Sequence, residues 1–293
     1  MKNVLVTGGN GQLASCIKDV SLHLNDFNFI YVDVEELDIT KNDEVNAFFE
    51  NNLISYCINC AAYTAVDLAE SNEKLAKSVN VVGSANLATA CAENNAILMH
   101  VSTDFVFDGR QTTFYNETDK ENPLGVYGET KLNGEKKIAN SLKEHFIIRT
   151  SWLYSEHGHN FLKTMLRLGQ ERDKLSVVAD QIGTPTYAGD LAKIIIDIII
   201  SENTLFGTYH YSNEGVASWY DFAKTIFDES QITITLSPIK SEAYPTPAER
   251  PKFSVMDKTK IKEAFDLVIP YWRDSLQICL DRLNAINQKT LIN

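Results

Sequence analysis

The sequence predicts an α/β protein with a doubly wound parallel sheet and a smaller C-terminal α/β lobe. Short β-rich runs alternate with helix-length amphipathic segments through the first half of the chain, which is typical of strands joined by crossover helices. None of the strand candidates alternates cleanly between apolar and polar residues, as expected when helices cover both faces of a sheet. A glycine-rich turn joins the first strand candidate to the first helix candidate.

These elements follow one another with short connections. The strand candidates are Asn3–Thr7, Phe29–Val32, Tyr56–Asn59, Ile97–Ser102 and Phe146–Thr150. The helix candidates between them are Gln12–Leu24, Asn42–Asn51, Lys74–Asn94 and Tyr127–Ser141. A strand-helix rhythm of this kind predicts that residues 1–150 form a dinucleotide-binding unit.

The second half has a looser pattern. Its helix candidates are Asn160–Glu171, Gly189–Ile200, Ser218–Ser230 and Trp272–Asn284. We interpret residues 151–293 mainly as a substrate-binding lobe that also contributes elements to the first sheet. Because neither a flexible linker nor an internal repeat is evident, the two parts are expected to be interleaved.

Composition excludes several classes of partner. The 27 Lys and Arg against 39 Asp and Glu give a net charge of −12, which argues against nucleic acid or an anionic membrane. Five cysteines are few and odd in number, which favours a reducing compartment over a disulfide framework. The first apolar run begins at Val4 and Asp197 interrupts the apolar run Ile194–Ile200, so we expect neither a signal peptide nor a membrane span. A cytoplasmic location is expected.

The glycine-rich turn is the first sign of chemistry. Gly8 and Gly11 permit a tight turn and a close approach of the backbone to a pyrophosphate, and the helix that follows directs its N-terminus at that charge. The position at the first strand-helix junction is what a Rossmann-type dinucleotide site requires. Asp33 ends the second strand about 20 residues later, where an acidic residue binds the ribose hydroxyls of NAD. A solvent-facing acid is the alternative interpretation of Asp33.

Tyr127 and Lys131 lie one helical turn apart on the same face of a helix candidate. Free tyrosine has a pKa of about 10, and a neighbouring ammonium group favours the phenolate, so we expect Lys131 to lower the pKa of Tyr127. The pair follows Ser102, Thr103 and Asp104 at the end of the fourth strand by roughly 25 residues. Because ligands of such sheets bind beyond the carboxyl ends of the strands, these side chains are expected to converge.

On these motifs the chain resembles the extended short-chain dehydrogenase/reductases, and among them the reductases of dTDP-linked 4-keto-6-deoxysugars. The resemblance covers nearly the whole chain. It is carried by TGGNGQLA (7–14), NCAAYTAVDLAE (59–70), STDFVFDG (102–109), PLGVYGETKLNGE (123–135), RTSWLY (149–154), NFLKTML (160–166), DQIGTPT (180–186) and AYPTPAERP (243–251). It implies that NADH or NADPH reduces the C4 keto group of dTDP-4-dehydro-L-rhamnose to dTDP-L-rhamnose, in the synthesis of cell-surface polysaccharide.

The same resemblance implies roles for individual residues. Thr103, Tyr127 and Lys131 match the catalytic set, and Tyr127 and Lys131 also contact the cofactor. Further cofactor contacts are implied for Gly11, Gln12 and Leu13 at the pyrophosphate, Asp38 and Ile39 at the adenine, and Ala61, Ala62 and Tyr63 along the cofactor. Substrate contacts are implied for Thr103, Asp104 and Trp152. Arg250, which lies between two proline-containing turns, matches a diphosphate clamp; a surface ion pair is its alternative.

Several positions depart from the family pattern. Ala14 replaces a glycine, Phe105 stands where a tyrosine is frequent, and Tyr63 stands where a histidine is frequent. No glutamate occurs around Cys16 or Gly189 to hold the Mg²⁺ that bridges some related dimers, so we predict no metal, although a homodimer remains possible. The His157-Gly158-His159 segment is interpreted as a loop, and Cys57 and Cys60 as buried side chains.

Two alternatives to this function remain. One is another nucleotide-sugar reductase or an epimerase of the extended family; Phe105 disfavours a dehydratase, which has an acidic residue there, and the absence of cysteine between Cys91 and Cys279 disfavours an epimerising synthase. The other is a non-catalytic NADP-binding regulatory subunit. The presence of Thr103, Tyr127 and Lys131 disfavours that alternative only modestly.

Overall fold

The centre of the molecule is a parallel sheet of six strands. This computed structural model describes the backbone of residues 1–292 and the side chains of residues 1–288. The strands of the sheet are β1 (Lys2–Thr7), β2 (Phe27–Val32), β3 (Ile54–Asn59), β4 (Ile97–Thr103), β5 (His145–Thr150) and β10 (Gly207–His210). Their order across the sheet is β10-β5-β4-β3-β1-β2. Every pairing between them is parallel. The predicted doubly wound sheet is confirmed, and its strand order reverses between β1 and β3.

Helices cover both faces of this sheet, as predicted. They are α1 (Gln12–Ser21), α2 (Asn42–Asn52), α3 (Val66–Ala69), α4 (Glu73–Lys77), α5 (Ser84–Glu93), α6 (Val126–Ser141) and α8 (Ala188–Ile200). Side chains of α1 and α8 form one apolar core with one face of the sheet, and side chains of α2, α5 and α6 form a second core on the other face. Burial on both faces explains the continuous apolar runs of these strands.

The predicted helix Lys74–Asn94 is not one regular helix. It is divided into α4, a π-helical turn at Ser78–Gly83, and α5. The π turn contains Asn80, whose amide accepts a hydrogen bond from the Tyr63 nitrogen at 2.8 Å and donates to the Tyr63 oxygen and to Thr130 Oγ1. A widened turn therefore ties the loop after β3 to α6, a local need that periodicity does not reveal.

The second half forms smaller sheets and a separate core. Its remaining strands are β6 (Leu153–Tyr154), β7 (Lys174–Val178), β8 (Ile182–Gly183), β9 (Thr186–Tyr187), β11 (Ala217–Ser218) and β12 (Thr235–Ile239). They pair as β6 with β9, β7 with β12, and β8 with β11. Its helices, besides α8, are α7 (Phe161–Glu171), α9 (Trp219–Glu229), α10 (Thr259–Phe265) and α11 (Trp272–Ile292). A third apolar core joins side chains of α7, α9 and α11.

Two elements of the second half belong to the large sheet. Strand β10 pairs with β5 at its edge, and α8 packs on α1. The division into residues 1–150 and 151–293 stays a prediction, and Asn293 lies outside the described residues. Within the described part of the chain, no helix is long and apolar enough to cross a membrane.

Candidate active site

A cleft of about 860 Å³ opens along the carboxyl ends of the central strands. Its walls bring together residues that are far apart in the sequence. The predicted site residues among its lining are Gly8, Gly11, Gln12, Leu13, Asp33, Asp38, Ile39, Ala61, Ala62, Thr103, Asp104, Tyr127, Lys131, Trp152 and Arg250. The cleft lies at the edge where ligands of doubly wound sheets bind.

The glycine-rich turn forms one end of the cleft. Gly8 has a φ of +64°, and a Cβ there would lie 2.8 Å from the nitrogen of Ala61, so only glycine fits. The Gly11 nitrogen donates to the Gly8 oxygen at 2.9 Å, and α1 begins at Gln12. Because Gly11 offers no capping side chain, the first amides of α1 remain available to an anion in the cleft.

The Gln12 side chain has a structural task. Its Nε2 donates to the Leu153 oxygen at 3.2 Å, and its Oε1 accepts hydrogen bonds from Ser155 and Asn160. The turn is thereby joined to the second half of the chain. Because the side chain is engaged in this way, Gln12 would contact a pyrophosphate through its backbone amide.

Acidic residues lie beyond the glycine-rich turn. Asp33 Oδ2 accepts a hydrogen bond from the Asn10 nitrogen at 3.0 Å, so this carboxylate is fixed beside the turn. Asp38 Oδ1 accepts from the nitrogen and hydroxyl of Thr40, and these bonds hold the pKa of Asp38 below its usual value. Ile39 is buried and packs on Gly83, where a Cβ would lie 2.6 Å from Ile39 Cδ1. The geometry suits a ribose at Asp33 and a flat ring near Ile39.

Thr103, Tyr127 and Lys131 meet at the carboxyl end of β4. The Thr103 hydroxyl is hydrogen-bonded with Tyr127 and donates to Asp104 Oδ1 at 3.0 Å. The Tyr127 ring packs edge-on against Phe105, with ring centroids 5.5 Å apart. Helix α6 carries Tyr127 in its first turn, and its Val126 nitrogen donates to Glu70 Oε1 at 2.8 Å. The predicted convergence of these side chains is thus present.

The expected effect of Lys131 on Tyr127 is wrong for this state of the protein. Burial raises the pKa of Tyr127 to about 12, the Thr103 hydrogen bond lowers it in part, and Asp104 raises it further. The Lys131 Nζ is directed instead at the Val101 oxygen, 2.7 Å away, and at His100. Burial lowers the pKa of Lys131 itself to about 8. Tyr127 is therefore protonated at neutral pH, as a proton donor must be.

Trp152 and Trp219 form an aromatic platform on the opposite wall. Their rings stack with centroids 3.7 Å apart and planes 9° from parallel. Trp152 has a φ of +46°, which is costly for a residue with a side chain. Its ring lies on Gly183, where a Cβ would come within 2.7 Å of it. Trp152 is among the predicted site residues but Trp219 is not, because Trp219 lies far along the sequence from Trp152 and carries no local signal.

Arg250 and Asp104 also line the cleft. The Arg250 guanidinium binds Asp67 through both of its terminal nitrogens, at 3.0 and 2.8 Å, and this bond lowers the pKa of Asp67. Arg250 therefore has an ion-pair partner and also lines the cleft, and its role as a diphosphate clamp stays a prediction. Burial raises the pKa of Asp104 to about 6, and its Oδ2 is buried with no hydrogen-bond partner among the described residues. A ligand hydroxyl is the kind of group that this oxygen lacks.

Tyr63 is not among the residues that line the cleft, so its contact with the cofactor stays a prediction. Asn80 binds both its backbone nitrogen and its backbone oxygen, while its hydroxyl lies 3.5 Å from Asn72 Nδ2. The loop after β3 therefore presents Ala61 and Ala62 to the cleft and turns Tyr63 away from it.

The predicted loop at His157-Gly158-His159 is confirmed. His159 and Gly158 line the cleft. His157 lies in a group with Cys16 and Glu156 whose potential ligand atoms are within 4.8 Å of one another. Glu156 also accepts a hydrogen bond from Tyr187 at 3.0 Å, and His157 Nε2 lies 2.8 Å from Asp19 Oδ2. Glu156 and His157 thus already have hydrogen-bond partners outside this group.

The fold and the site together define a nicotinamide-dependent oxidoreductase of the extended short-chain dehydrogenase/reductase type. The family model described as RmlD substrate binding domain matches residues 1–285. The chain belongs to this family, the family of the dTDP-4-dehydrorhamnose reductases.

Curated relatives and solved structures agree with that assignment. The chain is 42% identical over 287 residues to the dTDP-4-dehydrorhamnose reductase of Aggregatibacter actinomycetemcomitans, covering 94% of this chain and 98% of that protein. It is 36% identical over 294 residues to that of Escherichia coli K12, covering 96% and 98%. The structure of a Bacillus anthracis dTDP-4-dehydrorhamnose reductase in complex with NADP superimposes with a TM-score of 0.93 at 38% identity, covering 96% and 100%.

A more distant likeness shows the fold alone. The UDP-glucose 4-epimerase of Thermus thermophilus superimposes with a TM-score of 0.81 at 18% identity, covering 96% of this chain and 99% of that one. The scaffold is thus shared by reductases and epimerases, and only the residues of the site can decide between them.

Proposed function

We propose that the chain is a dTDP-4-dehydrorhamnose reductase that uses NADH or NADPH to reduce the C4 keto group of dTDP-4-dehydro-L-rhamnose to dTDP-L-rhamnose. The observation that carries the proposal is the meeting of Thr103, Tyr127 and Lys131 in the same cleft as the glycine-rich turn. A proton donor thus lies beside a dinucleotide site. Family membership supplies the identity of the sugar nucleotide.

The residues of the cleft suit a nicotinamide dinucleotide. The glycine-rich turn and the uncapped N-terminus of α1 would hold its pyrophosphate, and Asp33 would accept hydrogen bonds from its ribose hydroxyls. The cofactor supplies the hydride when it is bound. The protein supplies position and electrostatics.

The chain's own residues would then carry the proton and stabilise charge. Tyr127, which is protonated at neutral pH, donates its proton to the oxygen of the sugar carbonyl. Thr103 would hydrogen-bond that oxygen as negative charge develops on it, by redirecting the hydroxyl proton that it donates to Asp104 Oδ1. Lys131, which lines the same cleft, would bind the nicotinamide ribose.

The opposite wall would bind the rest of the substrate. Trp152 offers an aromatic face beside the reacting sugar, and Asp104 Oδ2 can accept a hydrogen bond from a sugar hydroxyl. Arg250 can bind the diphosphate if it exchanges all or part of its Asp67 contact for phosphate oxygens. The division of the chain into a cofactor unit and a substrate lobe, a homodimeric state and a cytoplasmic location remain proposals.

The test is the loss of NADH or NADPH absorbance when purified protein is mixed with dTDP-4-dehydro-L-rhamnose. We expect stoichiometric oxidation of the cofactor and formation of dTDP-L-rhamnose. Interconversion of sugar nucleotides without net consumption of cofactor would support the epimerase alternative. Binding of NADPH without any turnover would support the regulatory subunit.

A further inference from the structure

A row of buried polar side chains crosses the sheet beneath the cleft and ends at Lys131. Strand register places Thr7 of β1 beside Asn59 of β3, and Asn59 beside His100 of β4. Thr7 Oγ1 lies 2.7 Å from Asn59 Oδ1, Asn59 Nδ2 lies 3.0 Å from His100 Nδ1, and His100 Nε2 lies 3.3 Å from Lys131 Nζ. No member is more than 2% exposed. Polar groups buried this deeply cost free energy unless each finds a partner.

The surroundings of Lys131 and His100 contain few other ionisable groups. Glu135 on α6 and Cys60 after β3 raise the pKa of Lys131, but burial outweighs both and lowers it to about 8. Burial and the neighbouring Lys131, with a smaller contribution from His145 on β5, hold the pKa of His100 well below its usual value. His100 is therefore a neutral imidazole, while Lys131 changes its charge near neutral pH.

A neutral imidazole has one N–H, so its two hydrogen bonds must run in opposite senses. If Lys131 is an ammonium, His100 Nε2 must accept, and the proton on Nδ1 must be donated to an oxygen of Asn59. If Lys131 is a neutral amine, Nε2–H can donate to Nζ, and Asn59 Nδ2 donates to Nδ1. The amide orientation in the structure, with Nδ2 toward His100, corresponds to the second case. A half-turn of the Asn59 amide gives the first.

We propose that His100, oriented by Asn59, is a positioning residue for Lys131, whose ammonium group it holds by accepting a hydrogen bond at Nε2. The Thr7-Asn59-His100 row reverses its hydrogen-bond direction when Lys131 loses its proton. This inference rests on the proposed function insofar as turnover needs Lys131 charged. Removing the Nε2 acceptor removes an interaction that favours the ammonium, so Lys131 then loses its proton at lower pH.

A matched pair of variants tests the proposal through the pH profile. An asparagine places its amide near the former Nδ1 and a glutamine places its amide near the former Nε2, so His100→Asn loses the acceptor for Lys131 whereas His100→Gln retains it. We expect the alkaline limb of kcat/KM to move down by about one pH unit in His100→Asn, a tenfold change in the proton equilibrium, and by much less in His100→Gln. Equal shifts in the two variants, or none in His100→Asn, would overturn the proposal.

A second test uses the wild-type protein without substrate, and it needs a variant only to assign the NMR signals. Nitrogen-15 NMR of histidine-labelled protein, with the His100 signals assigned by their loss in His100→Gln, reports which ring nitrogen is protonated. We expect the proton of His100 to be on Nδ1 at pH 6.5 and to move to Nε2 as the pH rises above the pKa of Lys131. Nε2–H at pH 6.5 would contradict the proposal even in an active reductase. An inactive wild-type protein with the expected tautomers would instead contradict the proposed function.

Discussion

The two walls of the cleft are built from different kinds of sequence information. The cofactor wall, where we propose that the dinucleotide binds, consists of residues that closely follow strands β1, β2 and β3, including Gly8, Asp33 and Ala61. The substrate wall, where we propose that the sugar nucleotide binds, joins segments that are remote from one another, since Arg250 binds Asp67 across 183 residues and Trp152 stacks on Trp219. The short segments that follow the strands are therefore enough to indicate a cofactor site of this kind, whereas the substrate site depends on how distant loops pack.

This difference explains what could be predicted. Alternation of strands and helices is enough to predict a parallel sheet, and the carboxyl ends of parallel strands meet at one edge. That reasoning places the glycine-rich turn and Asp33 at this edge. Together with the four-residue spacing of Tyr127 and Lys131, it predicts that this pair converges with the residues that end β4. The choice of Thr103 as a catalytic residue comes from the resemblance to the family. Trp152 is identified only through resemblance to the family, because no spacing rule relates it to the sheet. The position of Arg250 among prolines leaves a diphosphate clamp and a surface ion pair equally open, and only the resemblance favours the clamp.

The remaining differences have tertiary causes. Hydrogen bonds between Asn80 and residues outside its own helix hold the π turn at Ser78–Gly83, so helical periodicity cannot reveal this turn. The same bonds turn Tyr63 away from the cleft. The pKa of Tyr127 depends chiefly on burial, which the four-residue spacing to Lys131 does not encode. His100 sits inside an apolar strand, where sequence alone gives no sign of its polar neighbours.

Replacement of Tyr127 should have the largest effect, because Tyr127 is the proposed proton donor. Tyr127→Phe removes the proton donor and little volume, so we expect kcat to fall by roughly 10²–10⁴ with cofactor affinity nearly unchanged. Steady-state kinetics and fluorescence titration with NADH measure the two effects separately. Tyr63→Phe is the matched control, since the Tyr63 ring does not line the cleft. A kcat of Tyr127→Phe within a few-fold of wild type would show that the proton comes from elsewhere.

Replacement of Arg250 sharpens the comparison on the substrate wall. Charge-assisted hydrogen bonds are worth about 1.5–3 kcal/mol, so Arg250→Ala should raise the KM for the sugar nucleotide by about 10- to 100-fold. The effect on kcat should be small, because a diphosphate contact is equal in ground and transition states. The KM for NADH should not change, since the cofactor wall is untouched.

Lys252→Ala is a control of similar charge close by, because Lys252 is exposed and lies 3.8 Å from Glu242. Its kinetics should match those of wild type. If Arg250→Ala behaves in the same way, Arg250 only forms a surface ion pair with Asp67. If Arg250→Ala lowers kcat and leaves KM unchanged, the guanidinium acts in the transition state. The proposal that Arg250 only binds the diphosphate would then be wrong.

The smallest expected effect concerns cofactor choice on the locally encoded wall. Asp33 accepts hydrogen bonds from the nitrogens of Asn10 and Val34, so its carboxylate is held where the adenosine ribose would lie. Its charge would repel a 2′-phosphate. The next residues include Glu35 and Glu36 but no Lys or Arg that could neutralise such a phosphate. Lys41, the cation closest along the chain, already pairs with Glu44 at 2.9 Å. We therefore expect NADH to be used at least as well as NADPH.

Solvent screening limits this discrimination to about 1 kcal/mol, which is a several-fold difference in kcat/KM. Asp33→Ala should shift the ratio of kcat/KM for the two cofactors toward NADPH, because the repulsion is lost while the glycine-rich turn still binds the pyrophosphate. Glu35→Ala is the matched control: this exposed acid does not line the cleft, so the ratio should stay unchanged. A tenfold wild-type preference for NADPH, or an unmoved ratio in Asp33→Ala, would show that cofactor choice is not set by the local sequence after β2. The adenosine end of the cofactor wall would then depend on distant packing, as the substrate wall does.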